Sequence, residues 1–163
     1  MWFRKRKPDP AEAVRGLREQ IFTMQAPDVG ITPGPGHLRV WCVLMETGFA
    51  EGAASLLAVA DGTVSLYFSN GGGIIGAGRH DEVRSAADRL IALADAHADD
   101  FAAASEHPLP AMGRVRFYIR TFDGCRTVEA GETELGENRR PLSPLFHAGQ
   151  SVIAAVRMIQ PRR

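Results

Sequence analysis

Between Pro10 and Met24 the apolar side chains Val14, Leu17, Ile21 and Met24 recur every three or four positions, which predicts a helix with one buried face. Its start is written in Asp9-Pro10-Ala11-Glu12: Asp9 can cap, Pro10 suits the first turn and Glu12 completes a capping box. Pro27 marks its end, and the Pro/Gly-rich stretch Pro27 to Gly36 reads as a connector. From His37 to Thr47 the chain is apolar on both faces at its centre, so a strand covered on both sides is expected. Two further apolar runs, Ser55 to Ala60 and Thr63 to Ser69, flank Asp61-Gly62, a strong hairpin signal. A two-residue turn there would set Val59 opposite Val64 and Leu57 opposite Leu66.

A second helix is predicted from Asp81 to Ala98, with Val83, Ala87, Leu90, Ile91, Ala94 and then Phe101 on its apolar side. Asp81 and Glu82 suit the positive end of its dipole. Arg114 to Phe122 alternates with period two: Val115, Phe117 and Ile119 point one way, Arg114, Arg116, Tyr118 and Arg120 the other. Asp123-Gly124 then turns the chain into Cys125 to Ala130, with Ile119 expected opposite Val128 and Tyr118 opposite Glu129. Gly131 to Arg140 reads as an acidic, polar loop. Ser143-Pro144 opens a last helix that would bury Leu145, Gly149, Val152, Val156 and Ile159.

The resulting order is α-βββ-α-ββ-α. It predicts a single α+β domain over residues 9–163, an antiparallel sheet of about five strands with helices packed on it. That order resembles the class I chaperones of type III secretion and the related YbjN-like domains. The resemblance covers about residues 10 to 160 and rests on the elements alone. It implies a small cytoplasmic α+β protein, a homodimer, that holds or recognises another protein. It transfers no functional residue.

Composition narrows the partners. Lys+Arg and Asp+Glu both total 19, so no overall field gathers nucleic acid or anionic lipid, and either would need a local patch. Cys42 and Cys125 have neither disulfide nor metal spacing, and read as buried free thiols in a reducing cytoplasm. Residues 1–8, Met-Trp-Phe-Arg-Lys-Arg-Lys-Pro, carry the charges of a signal peptide without its apolar core. They read as a basic, aromatic, solvated tail, whose one membrane role would be a weak contact with an anionic surface. No apolar run is long enough for a membrane span.

Two stretches could carry chemistry. Gly71, Gly73 and Gly76 match G-x-G-x-x-G between a strand and a helix, as a dinucleotide-binding turn requires. Here, however, the strand belongs to a hairpin and no acidic residue closes a second strand downstream, so a tight turn is the simpler reading. What remains is a candidate anion site for a phosphorylated small molecule, built from Asn70, Gly71, Gly72 and Gly73 with Arg79 and His80. The second stretch is the strand face Arg114, Arg116, Tyr118 and Arg120. Cations around a ring can track phosphates or meet an acidic protein, while neutral charge favours a solvated sheet face paired with Glu129.

The histidines His37, His80, His97, His107 and His147 are scattered, and no cofactor or metal motif is present. His97 and Asp100 could share a helix face as a surface pair. No nucleophile signature surrounds a serine or cysteine. The expectation is a protein-binding or chaperone-like module without catalytic activity, the alternative a small enzyme or ligand-binding protein using the Gly71–Gly78 turn. Sheet edges that need covering add the expectation of a homodimer.

Overall fold

The computed structural model describes residues 9–34 and 38–159, so the tail at residues 1–8 and His37 lie outside the described residues. In chain order the elements are α1 (Pro10–Thr23), β1 (Val40–Phe49), β2 (Gly52–Val59), β3 (Val64–Phe68), β4 (Gly73–Ile74), α2 (Asp81–Ala96), β5 (Ala102–Ala103), β6 (Arg114–Thr121), β7 (Gly124–Gly131), α3 (Glu132–Gly136) and α4 (Ser143–Met158). The strands form one antiparallel sheet in the order β4-β3-β2-β1-β6-β7-β5. The α+β class is therefore as predicted, but the sheet has seven strands rather than about five. The two additions, β4 and β5, pair at only two positions each, too few for any periodicity to betray them. Each lies at one end of the sheet and blunts an edge that would otherwise invite pairing.

The sheet is covered on both faces by different means. On the first face α2 and α4 bury Val83, Leu90, Ile91, Leu145, Val152 and Val156 against Val43, Met45, Leu56, Val115, Phe117 and Ile119. This is the alternating set predicted for β6 and the helical stripe predicted for α2. The second face carries Trp41, Cys42, Leu44, Leu57, Val59, Tyr67 and Tyr118, packed beneath Val14 and Ile21 of α1. Alongside α1, the irregular segment from Ala104 to Met112 holds its place through single contacts. Tyr118 donates to the Pro108 carbonyl at 2.6 Å, and the His107 ring stacks on Phe22 with centroids 3.9 Å apart. Gly48 lets the Ala111 carbonyl approach so closely that any Cβ would collide with it.

Several local expectations change. Between β2 and β3 the loop is one residue longer than a two-residue turn: Val59 donates its N–H to Thr63 O, and Gly62 takes φ +97°. Ala58 then lies opposite Val64 and Leu56 opposite Leu66. That single slip puts Leu57 and Val59 on the other face, under α1, as a period of two demands. Between β6 and β7 the turn comes at Phe122-Asp123, which shifts the register by two and preserves the faces. Ile119 is opposite Arg126, and Glu129 is opposite Arg116 rather than Tyr118. Asp9 makes no side-chain capping bond to α1, and the polar stretch after Gly131 contains the short helix α3.

Candidate functional site

A row of polar side chains crosses the second face. Ser55, Glu46, Arg116 and Glu129 are directly opposed from strand to strand, β2 to β1 to β6 to β7. Glu46 is fully buried, and three donors hold its carboxylate: Arg18 Nε at 3.0 Å, Arg18 Nη2 at 2.7 Å and the Ser55 hydroxyl. Arg18 Nη2 also donates to the His107 carbonyl at 2.8 Å, so one guanidinium ties α1 to the sheet and to the 104–112 segment. Burial opposes the charge on Arg18, yet the bonds and charge of Glu46 outweigh it and raise the guanidinium pKa. Farther along the row Glu129 accepts from Arg114 Nε at 3.0 Å and from Arg116 Nη2. Every carboxylate here is already paired. The row is a lock between layers.

Arg114, Arg116, Tyr118 and Arg120 do share one side of β6, but they do not form one open face. Tyr118 and Arg120 are buried beneath α1 and its neighbouring segment, and burial pushes the Tyr118 hydroxyl up to about 12. Arg120 turns inward: its terminal nitrogens donate to Ile21 O at 2.6 Å and Met24 O at 2.9 Å, and its guanidinium lies 5.0 Å from the Trp41 ring. It caps α1, which has no basic residue in its own last turn. Cys42 and Cys125 flank Arg120 on the two neighbouring strands, so β6 separates them and no disulfide can join them. Burial raises both thiols, Cys42 to about 12, against a smaller opposing pull from Arg120.

The glycine run forms the β3–β4 turn, with Gly71 at φ +110° and Gly72 at +90°, conformations that favour glycine. Beside it lies a cavity of about 250 Å³ lined by Pro10, Ala13, Val14, Leu17, Tyr67, Gly72, Gly73 and Ile75. Its side chains are apolar apart from the Tyr67 hydroxyl, and neither Arg79 nor His80 reaches it. Those two are exposed at the approach to α2. His97 Nδ1 does lie 3.2 Å from Asp100 Oδ2, as an exposed pair. Among the described residues no group of three or more His, Cys, Asp or Glu is placed to hold a metal ion. Among them, too, no helix is long and apolar enough to cross a membrane.

β5 covers β7 only at Arg126 and Thr127, and the Ala104 N–H extends the pairing to Cys125 O. Beyond Thr127 that edge is unpaired among the described residues. Glu132 donates its N–H to Gly113 O, so by the antiparallel alternation the even-numbered residues of β7 bond to β6. Glu129 and Gly131 turn their backbone groups outward. Among the described residues no hydrogen bond reaches the Glu129 N–H and C=O or the Gly131 N–H from outside the β6–β7 ladder. A groove of about 230 Å³ runs along this edge, lined by Asp100, Val128, Glu129, Ala130, Arg140, Pro141 and Leu142. Sequence periodicity identifies β7 as a strand, but an open edge follows only from the strand order.

No family model, no curated protein and no solved structure matches this chain.

Proposed function

We propose that this chain is a protein-binding module, chaperone-like in holding an extended segment of another protein, and that the segment joins the sheet as a strand outside β7. The observation that carries this reading is the unpaired stretch of β7 from Val128 to Gly131, with its outward backbone groups beside a groove. An added strand satisfies those groups with main-chain hydrogen bonds and takes its specificity from the pockets beside them. A foreign strand suits the edge better than a second copy. Symmetric β7–β7 pairing would be confined to Val128–Gly131 of each copy, too short a ladder to make a stable dimer interface by itself.

Gly131 offers a clean test. Its φ of −69° matches the value of about −65° that proline imposes, and its N–H faces the open edge. The atoms nearest to a Cβ there would be Arg114 Nη1 at 3.4 Å and the Glu134 side chain, both ends of flexible side chains. Gly131→Pro therefore keeps the fold and deletes one edge donor, whereas Gly131→Ala keeps the donor. Peptides selected from a displayed random library on the immobilised protein should perturb the Glu129 and Gly131 amide resonances. Their affinity should fall about tenfold in Gly131→Pro, the loss of one hydrogen bond worth about 1.4 kcal/mol, and hold in Gly131→Ala. Selected peptides that bind Gly131→Pro as well as the wild type would defeat the proposal.

A further inference from the structure

We infer that the β7 edge groove selects a segment that sets a carboxylate beside an apolar side chain, with Arg140 as the residue that reads the acid. This rests on strand addition at β7 and names the chemistry of the segment. A strand laid outside β7 alternates its side chains between the two faces of the sheet. Opposite Glu129 it meets the second face, where that carboxylate is already held by Arg114 and Arg116 and asks for nothing more. Its neighbours point to the helix side, among Val128, Ala130, Pro141 and Leu142, which favour an apolar residue.

The one cation lining the groove among the described residues is Arg140. Its side chain is 48% exposed, and its only carboxylate neighbour among the described residues is Glu134, at 3.6 Å from Nε. No hydrogen bond reaches its guanidinium among the described residues, so the two terminal nitrogens can grip a carboxylate as a fork. Asp100, next to β5, 63% exposed and 3.2 Å from the His97 ring, also lines the groove and supplies the opposite charge. A segment with an acid for Arg140 is therefore favoured over one with a base there, which would have to lie toward Asp100 to be matched.

The test uses three synthetic strand-forming peptides, capped at both ends and identical except for Glu, Gln or Lys at the position beside Arg140. Their binding to the full chain is followed by fluorescence anisotropy. The wild type should prefer Glu over Gln and Gln over Lys, by about threefold at each step, as for a partly exposed ion pair. Arg140→Glu should reverse the order and Arg140→Gln should flatten it. Both changes lie on the surface and leave the core untouched. If the peptides bind, weaken with Gly131→Pro and yet ignore both the charge series and the Arg140 variants, the acid preference is wrong and strand addition stands. If none of the three binds, both fall.

Discussion

Arg18, in the middle of α1, grips Glu46 on the central strand with two nitrogens of its fork, 3.0 Å and 2.7 Å from the two carboxylate oxygens. Glu46 has no access to water, and Arg18 and Ser55 take the place of that water around its carboxylate. Removing one partner strands a buried charge, which costs more than the pair itself contributes. Arg18→Ala should lower stability by about 3 kcal/mol, whereas Arg18→Met with Glu46→Leu should recover most of that loss. Urea unfolding of the two variants decides it. Equal losses would mean that the fork contributes packing and not charge.

The parts of this fold legible in the sequence are those repeated along the chain. Val115, Phe117 and Ile119, and the stripe from Val83 to Ala94, declare their buried sides through periods of two and 3.6. The rest is set by single contacts. Nothing local distinguishes a two-residue turn at Asp61-Gly62 from the longer loop, yet that one residue moves Leu57 and Val59 to the opposite face. Arg114 to Arg120 reads as a solvated face because the segment that covers Tyr118 carries no periodic apolar pattern of its own. One signal was available: a glutamate closing the apolar run of β1 calls for a buried cation, and Arg18 answers it. The open stretch of β7 was out of reach, because it depends on which strands become neighbours.

Gly48 and Gly149 separate two kinds of close approach. A Cβ at Gly48 would strike the carbonyl of Ala111, a backbone atom held in place by the Gly113 N–H bond to Gly48 O. A Cβ at Gly149 would strike the end of the Met45 side chain, which is flexible and can repack. Gly48→Ala should therefore cost about 2 kcal/mol, as overpacking against rigid structure does. Gly149→Ala should stay within about 1 kcal/mol of wild type, since alanine's helix propensity offsets the crowding in α4. Thermal unfolding of both proteins is the check, and a reversed ranking would place the rigid contact at Met45.

His107 gives stability a pH dependence. Partial burial first, then the positive charges of Arg18 and Arg120, lower its pKa in the folded protein below the ordinary value of about 6.5. The folded state thus binds the proton less readily than the unfolded one. The stabilisation is fully present above about pH 6.5 and is lost as pH falls through the lowered native value. His107→Gln should flatten the pH profile of the urea midpoint across that window and leave it unchanged above pH about 7. A profile as steep as that of the wild type would assign the dependence to another group.

Arg120 holds the end of α1 over Cys42, and that thiol can report on the helix. Arg120 bonds the Ile21 and Met24 carbonyls, while Cys42 has no exposure and, with its pKa near 12, reacts only when the cover lifts. Replacing Arg120 by Met keeps an apolar stem over Trp41 but leaves those two carbonyls uncapped. The last turn of α1 should then open more often. In a Cys125→Ser background, so that one thiol is read, Arg120→Met should speed labelling of Cys42 by a disulfide reagent about tenfold, matching about 1.4 kcal/mol of lost anchoring. Amide exchange in β1 should slow-track global unfolding in both proteins, because the sheet stays paired while the helix end frays. If labelling and β1 exchange accelerate together, Arg120 supports the whole sheet and α1 does not open on its own.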